Sequence, residues 1–422
     1  MSFIDKQVAK FQVFDAPAQR ILKANFIYYF FFPFFILFSQ AYVYANSPGG
    51  ISYNVFWGVM HFIGNPLGYL VCGYFLRRFE VKTMYAAGMI IMALNMWIMM
   101  LIPQEYFNAT ACYVFGFISG IGSGMYWSSR FYLTIVSTKD ETRNLFNGID
   151  FMFQIISGIV MPITVGTYIS LYENEGFRAK FEFFTQQFAY ISAGLVAVLL
   201  ALAASAIIVR GSFKTVKLGR FLHFSFSPEW KSTRFFAFIM GCYHAGIICL
   251  PTIVTLRFIG GEGALGLIDT VAHVLALITI YIASTISRPE DRPKIMLLGA
   301  AIFAVGIALF TGSLATLPVY AAVITSVAFY LSDPTMNFPY RASFMKSIDL
   351  LRVKENRGEF TYLCDIEIFN AIGRVVSILA FFVLYQVLPE KTSFITYFIG
   401  LAILQFINVV LCKRINNLKT IF

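Results

Sequence analysis

Charge is what this chain has least of. Asp, Glu, Lys and Arg make up 13% of its 422 residues, against 58% hydrophobic residues. A soluble domain carries about 25% charged residues, so an ordinary soluble protein is excluded. Chemistry-bearing motifs are missing too. No Gly-x-x-x-x-Gly-Lys-(Ser/Thr) phosphate loop occurs, so the chain carries no ATPase signature. Neither His-Glu-x-x-His nor Gly-x-Ser-x-Gly occurs, which removes two common hydrolase signatures. The reading is no enzyme, no catalytic residue and no cofactor. Cysteine is sparse. Cys72, Cys112, Cys242, Cys249, Cys364 and Cys412 lie in or at the ends of apolar runs, with neither metal-type spacing nor a disulfide framework. They read as buried reduced thiols, and no metal site is expected. The alternation of a membrane β-barrel is absent, and the apolar runs are too long for barrel strands. The N-terminus lacks the plan of a cleavable signal. Residues 1–23 interleave Lys6, Lys10, Arg20 and Lys23 with apolar side chains, either as an amphipathic lead-in on the inner membrane face or as a flexible tail.

Long apolar runs and aromatic residues fill the space that charge leaves. Forty-seven Phe and 23 Tyr suit a lipid-facing surface with interfacial belts. Twelve apolar spans are expected at about 24–45, 53–76, 83–102, 110–136, 145–171, 186–209, 233–256, 263–287, 294–312, 317–341, 358–388 and 393–412. Backbone amides in hydrocarbon must be satisfied within the segment, so the spans are helices. The net charge of +10 does not point to nucleic acid, because the Lys and Arg are scattered among the connections. With both termini inside, 25 of the 32 Lys and Arg fall on the inner side and four on the outer, as the positive-inside rule requires. The expectation is a multi-pass protein of the cell inner membrane with cytoplasmic N- and C-termini. The basic stretch 210–232 reads as a cytoplasmic linker between an N-terminal six-helix bundle, 1–209, and a C-terminal one, 233–422.

One stretch occurs twice. Residues 126–158 and 337–373 each carry an arginine closing an apolar run, Arg130 or Arg341. A short basic loop follows, and an aspartate, Asp150 or Asp365, opens the next run. In both copies a glycine stands eight residues after the aspartate, at Gly158 and Gly373. Parallel repeats of this kind mark one large class of transporters. Charge inside a bilayer is costly, so each such residue needs a partner or a task. The spacing predicts two pseudo-symmetric ion pairs, Arg130–Asp150 and Arg341–Asp365, which either gate the inner side or staple neighbouring helices.

Substrate candidates cluster on three helices. Glu367, Asn370 and Arg374 share one helix face, and Asp365 points about 160° away from Glu367 at ~100° per residue. Arg374 lies roughly four turns into its helix, and Ile159 holds the equivalent place in the first copy. A cavity arginine suits an anionic solute unless Glu367 neutralises it. Tyr126 and Trp127 follow Gly116, Gly120, Gly122 and Gly124, which allow close helix approach, and either stack on a solute or pack in the core. Asp150, Gln154 and Ser157 form a stripe that offers Gln154 as a further contact. Proton coupling is assigned to Asp269, His273, Asp333 and His61. His61 lies 16 residues before Arg77 and His273 lies 15 before Arg288, so the two histidines hold similar places in the two halves. Pro334 and Pro339 are expected to interrupt the helix that carries Asp333 and Arg341.

The turn after the second span reads Gly73-Tyr74-Phe75-Leu76-Arg77-Arg78-Phe79-Glu80-Val81-Lys82. Its leading glycine and basic residues resemble the turn between the second and third helices of the major facilitator superfamily. Arg77 stands where that family usually has aspartate, and Glu80 where it has a second glycine. The resemblance covers the whole chain in topology and implies an all-α integral membrane protein of twelve helices in two pseudo-symmetric six-helix bundles. It implies a secondary transporter, symporter or antiporter, working by alternating access. The substrate is expected to be a small organic solute, with Arg374 favouring an anion, and the protein a monomer whose other partner is the lipid bilayer. Two alternatives stand beside this: proton-driven efflux of amphipathic compounds, and a membrane sensor or scaffold without flux.

Overall fold

The apolar runs form helices, as hydrocarbon demands of any backbone that crosses it. The computed structural model describes residues 13–47, 49–103, 106–138, 140–213, 217–286 and 289–418. Twelve long helical segments follow one another. α1 runs Ala16–Tyr29, resumes through a π-helical turn at Phe34–Phe38 and ends with Ser39–Asn46. The rest are α2 (Ile51–Phe75), α3 (Val81–Leu101), α4 (Ala109–Ser137), α5 (Asp140–Ser170), α6 (Gln186–Val209), α7 (Trp230–Phe258), α8 (Glu262–Ile286), α9 (Arg292–Ser313), α10 (Pro318–Glu355), α11 (Glu359–Val387) and α12 (Glu390–Asn416). Among the described residues, nine of these are long and apolar enough to span a bilayer. Glycine and serine dilute α4, and proline and charge dilute α10.

Capping residues set several starts. Asp15 accepts from the Ala18 amide ahead of Pro17, Asn108 from that of Ala111, and Thr185 from that of Phe188. The main part of the expected lead-in, residues 1–12, lies outside the described residues. α10 departs furthest from expectation. It runs unbroken through Pro334 and Pro339 and continues to Glu355, well past the expected end at 341. Ion pairs hold the extension. Arg352 pairs with Glu359, and Lys354 donates to Glu229 at 2.7 Å. That ammonium keeps the Glu229 carboxyl below the ordinary carboxylate range. Asn356, at φ 51°, closes the helix in the left-handed conformation.

Packing is closest where side chains are smallest. α2 lies on α4 at Gly64, Gly68, Gly120 and Gly124. A Cβ at Gly124 would come within 2.0 Å of the Asn65 carbonyl, and one at Gly120 within 2.1 Å of that of His61. These four glycines therefore set the depth at which His61 and Asn65 sit. α3 packs on α4 and α6, α7 on α10, α11 and α12, and α9 on α10 and α12. Between the first six and last six helices, α5 meets α8 and α2 meets α11. The end that carries the described parts of both termini is closed by Phe131 against Phe344 and Tyr132 against Phe360. At the other end Phe56 meets Phe382, and Gln186 and Tyr190 both donate to the buried Glu262 carboxylate, at 2.7 and 2.9 Å.

Candidate functional site

A cavity of about 260 Å³ lies between the helices. Side chains of α1, α2, α4, α5, α7, α8, α10 and α11 line it, while α3, α6, α9 and α12 contribute none. Pro33 and the π-helical turn bring α1 to its edge with Phe32, Phe35 and Ile36. The wall opposite is mostly polar. Such a mixture, an apolar surface with a few convergent polar groups, is the usual makeup of a small-molecule site.

A continuous polar strip crosses α10, α7 and α11. The Asn337 amide donates to Asp333 at 2.5 Å, and its oxygen lies 2.8 Å from His244 Nε2. His244 Nδ1 is 3.4 Å from the Asn370 side-chain oxygen. The Asn370 amide donates to Glu367 at 3.3 Å, and Glu367 accepts from Arg374 at 2.5 Å. Glu367, Asn370 and Arg374 thus share a cavity face, as their spacing predicts, but Arg374 is not a free cation. The expected role of Arg374 as a lone anion anchor is therefore corrected: Glu367, 6% exposed, neutralises it. On α8, His273 Nδ1 lies 2.9 Å from the Asp269 carbonyl and 3.2 Å from its carboxylate. The Tyr330 ring lies 4.6 Å from the His273 ring. Gly158 makes room for that histidine, since a Cβ there would stand 2.3 Å from its ring. His61 also lines the cavity, stacked on Trp57 at 5.6 Å.

Arg341 is a half-buried cation of the cavity. It reaches the rings of Trp127 and Phe131, each 5.9 Å from its guanidinium carbon, and has no carboxylate within 4.0 Å among the described residues. Further lining atoms are buried without a hydrogen-bond partner among the described residues: His61 Nδ1, Asn65 Oδ1, Gln154 Oε1, Asp269 Oδ2, the Tyr340 hydroxyl and Arg374 Nε. Buried polar groups of this kind are exceptions in folded proteins, and a polar solute could satisfy them.

The two arginine–aspartate pairs come out differently. Arg130 and Asp150, 4% and 3% exposed, form an ion pair outside the cavity. α1 completes the aspartate's shell: Asn25 donates at 2.5 Å and Tyr29 at 2.9 Å, while Tyr85 donates to Asn25. Arg341 and Asp365 do not meet. Asp365 is taken by α7 instead, with both oxygens 2.7 Å from Arg234 and one also 2.6 Å from Trp230 Nε1. Asp365 and Glu367 point to opposite sides of α11, so the face expected to meet α10 meets α7. Tyr126 is a second correction. It is fully buried against Tyr28 and Tyr85 at 4.5 and 5.2 Å and does not line the cavity, whereas its neighbour Trp127 does.

Arg234 lies at the start of the seventh apolar run and was not among the residues expected to pair with Asp365. The signal for its role was present: Trp230 and Arg234 stand i, i+4 on α7 as Asn25 and Tyr29 do on α1. His244 lines the cavity too, as do Tyr69, Tyr330 and Tyr340, which were not singled out as site residues. Tyrosines carry no charge to betray them in an apolar run.

The geometry agrees with independent similarities. A family model described as Major Facilitator Superfamily matches residues 22–344. An uncharacterised protein of Bacillus subtilis (strain 168), YqgE, is 25% identical over 331 residues, covering 78% of this chain and 73% of that protein. A crystal structure of the E. coli fucose:proton symporter FucP superposes with a TM-score of 0.60 at 14% identity, over 94% of this chain and 98% of that one. A structure of FucP in the outward conformation gives 0.58 with the same identity and coverage. This multi-pass integral membrane chain, a transporter and not an enzyme, belongs to the major facilitator superfamily.

Proposed function

We propose that the protein is a secondary active transporter of a small organic anion, coupled to protons and working by alternating access around the central cavity. The observation that carries the reading is Arg341, a cavity-lining guanidinium with aromatic neighbours and no carboxylate partner among the described residues. A planar guanidinium holds a carboxylate through two parallel hydrogen bonds, and it does so best away from water. Trp127 and Gln154 flank the solute, and Asn370 with the Glu367–Arg374 pair forms the far wall.

Asp269, His273 and Asp333 are the proposed proton carriers, with His61 as a fourth candidate. Carboxylate and imidazole side by side in a membrane cavity can exchange protons as access alternates. FucP, with which the chain shares its fold, is titled a fucose:proton symporter. The moving parts are the bundles 1–209 and 233–422, joined by the linker 210–232. The clusters around Asp150 and Asp365 hold each bundle's inner end. We place both termini in the cytoplasm, in the cell inner membrane, and take the unit as a monomer. The gate at the inner end is aromatic, which rocking can separate at little electrostatic cost, whereas opening the outer end also breaks the Gln186 and Tyr190 hydrogen bonds to Glu262.

The test is flux in proteoliposomes. Uptake of small carboxylates driven by an imposed pH gradient, lost in Arg341→Gln, supports the reading. Uptake indifferent to the gradient removes proton coupling. Uptake of neutral or cationic amphipaths with full activity in Arg341→Gln moves the protein to efflux of amphipathic compounds. A protein that binds solute and shows no flux in either direction is a sensor.

A further inference from the structure

We infer that the solute is a zwitterion of dipeptide length, its carboxylate on Arg341 and its ammonium on Asp333. This rests on the cavity being a substrate site for a carboxylate, and it revises the solute from a simple anion to one that also carries an ammonium, with a set spacing and orientation. The argument begins with a charge count. Three carboxylates and two arginines line the cavity among the described residues: Asp269, Asp333, Glu367, Arg341 and Arg374. Glu367 is matched by Arg374 at 2.5 Å, and Asp269 lies 3.2 Å from the His273 imidazole, which offsets its charge when protonated. The two charges left over both belong to α10. Asp333 accepts from the neutral amide of Asn337, and Arg341 meets aromatic rings. Charges withdrawn from water without an ionic partner are costly. A single solute carrying both complementary charges satisfies the two at once, whereas a simple anion satisfies one.

Helix geometry then sets the length. Eight residues separate Asp333 from Arg341, which is about 12 Å of rise and roughly 80° of rotation. Both therefore lie on one broad face, and both line the cavity. Helix side chains lean toward the N-terminus, so Arg341 leans toward Asp333 and shortens the gap without closing it. An α-amino acid carries its two charges on one carbon and cannot bridge that distance. A dipeptide can, and a cavity of about 260 Å³ has room for it. Two unpartnered groups, the Tyr340 hydroxyl and Gln154 Oε1, line the same space and offer a donor for a peptide carbonyl and an acceptor for a peptide N–H. The dipole is also oriented. Arg341 lies on the side of the Phe131–Phe344 closure, so the carboxylate end faces the termini.

Thermal shift on the purified full-length protein tests this with defined probes. L-Alanyl-L-alanine and 6-aminohexanoate should raise the melting temperature with concentration. N-acetyl-L-alanyl-L-alanine, L-alanyl-L-alanine amide and free alanine should each bind at least tenfold more weakly. In Asp333→Asn the preference for the free over the acetylated peptide should vanish. In Arg341→Gln the preference for the free acid over the amide should vanish. These comparisons are made between ligands within one protein, so a loss of stability in a variant does not imitate them, and the wild-type series stands alone if a variant fails to fold. Equal binding of the acetylated peptide and the free one by the wild type overturns the inference while leaving an anion site intact. Equal binding of alanine overturns the spacing argument and with it the inference. If none of these probes nor any simple carboxylate shifts the wild type, the anion reading falls as well.

Discussion

Asp150 and Asp365 hold the same place in two copies of one repeat, yet they draw their positive charge from different helices. In the first copy Arg130 comes from α4, and α1 adds the neutral donors Asn25 and Tyr29. In the second, α7 supplies everything, with Arg234 and Trp230 at the matching i, i+4 spacing. Once Arg234 has satisfied Asp365, the arginine of α10 has no aspartate to serve. Arg341 then turns into the cavity between Trp127 and Phe131. A duplicated element has kept its anchor on one side and left a guanidinium lining the cavity on the other. The internal copy thus supplies a control that a single sequence rarely offers: the same motif with and without its partner.

The sharpest way to break the comparison is at Asp150. Asp150→Ala leaves Arg130 buried without its counter-ion, which should cost on the order of 3–5 kcal/mol. Thermal melting in detergent reads this as a large drop, and a melt within error of wild type would mean that the first-half cluster holds nothing. Arg234→Gln should cost less, about 1.5–3 kcal/mol, because Asp365 keeps Trp230 and the pair is more exposed to begin with. A cost equal to that of Asp150→Ala would erase the asymmetry between the halves. Gly158→Ala comes next, at roughly 1–3 kcal/mol, since a methyl there must displace the His273 ring. It should also reduce proton-driven flux, measured by uptake into vesicles, whereas a stability loss with normal flux would separate His273 from coupling. Arg341→Gln should not lower stability, because the guanidinium has no ionic partner to lose and its charge is costly where it stands. Its effect should appear in ligand response alone, and a strong destabilisation would reveal a structural role.

The helices, their number and the repeat were legible because hydrocarbon tolerates so few alternatives. Helix length was legible only within the membrane. Past Arg341 the chain turns polar, and helix persists there through pairs such as Lys354 with Glu229, which an apolar pattern does not register. For the site, spacing placed Glu367, Asn370 and Arg374 correctly on one face. Spacing along a helix says nothing about which neighbour meets that face. That choice was made by glycines and by α7: Gly241 and Gly373 seat α7 against α11, where a Cβ at Gly373 would fall 2.0 Å from the Phe238 carbonyl oxygen. Close seating put Arg234 within reach of Asp365. Tyr126 and Trp127 show the same limit at a finer grain. Adjacent residues on a helix point about 100° apart, and one went to the core while the other reached the cavity.

The break in α1 has a mechanical meaning. Below it, Asn25 and Tyr29 fasten the helix to Asp150 of α5. Above it, Gln40 donates to the Ile248 carbonyl of α7 at 2.7 Å, tying the same helix to the other half of the chain. The upper part also stays tied to its own half, through Asn54 donating to the Gln40 carbonyl at 2.8 Å and Tyr42 to that of Ile102 at 3.2 Å, so any turning of one half against the other loads the helix across its break. The twist must collect where the helix is softest, and the π-helical turn at Phe34–Phe38 is that place, behaving as a universal joint rather than a fault in the helix. Amide hydrogen exchange should therefore run faster at Phe34–Phe38 than in the flanking turns of α1, and uniform protection along the helix would remove the joint.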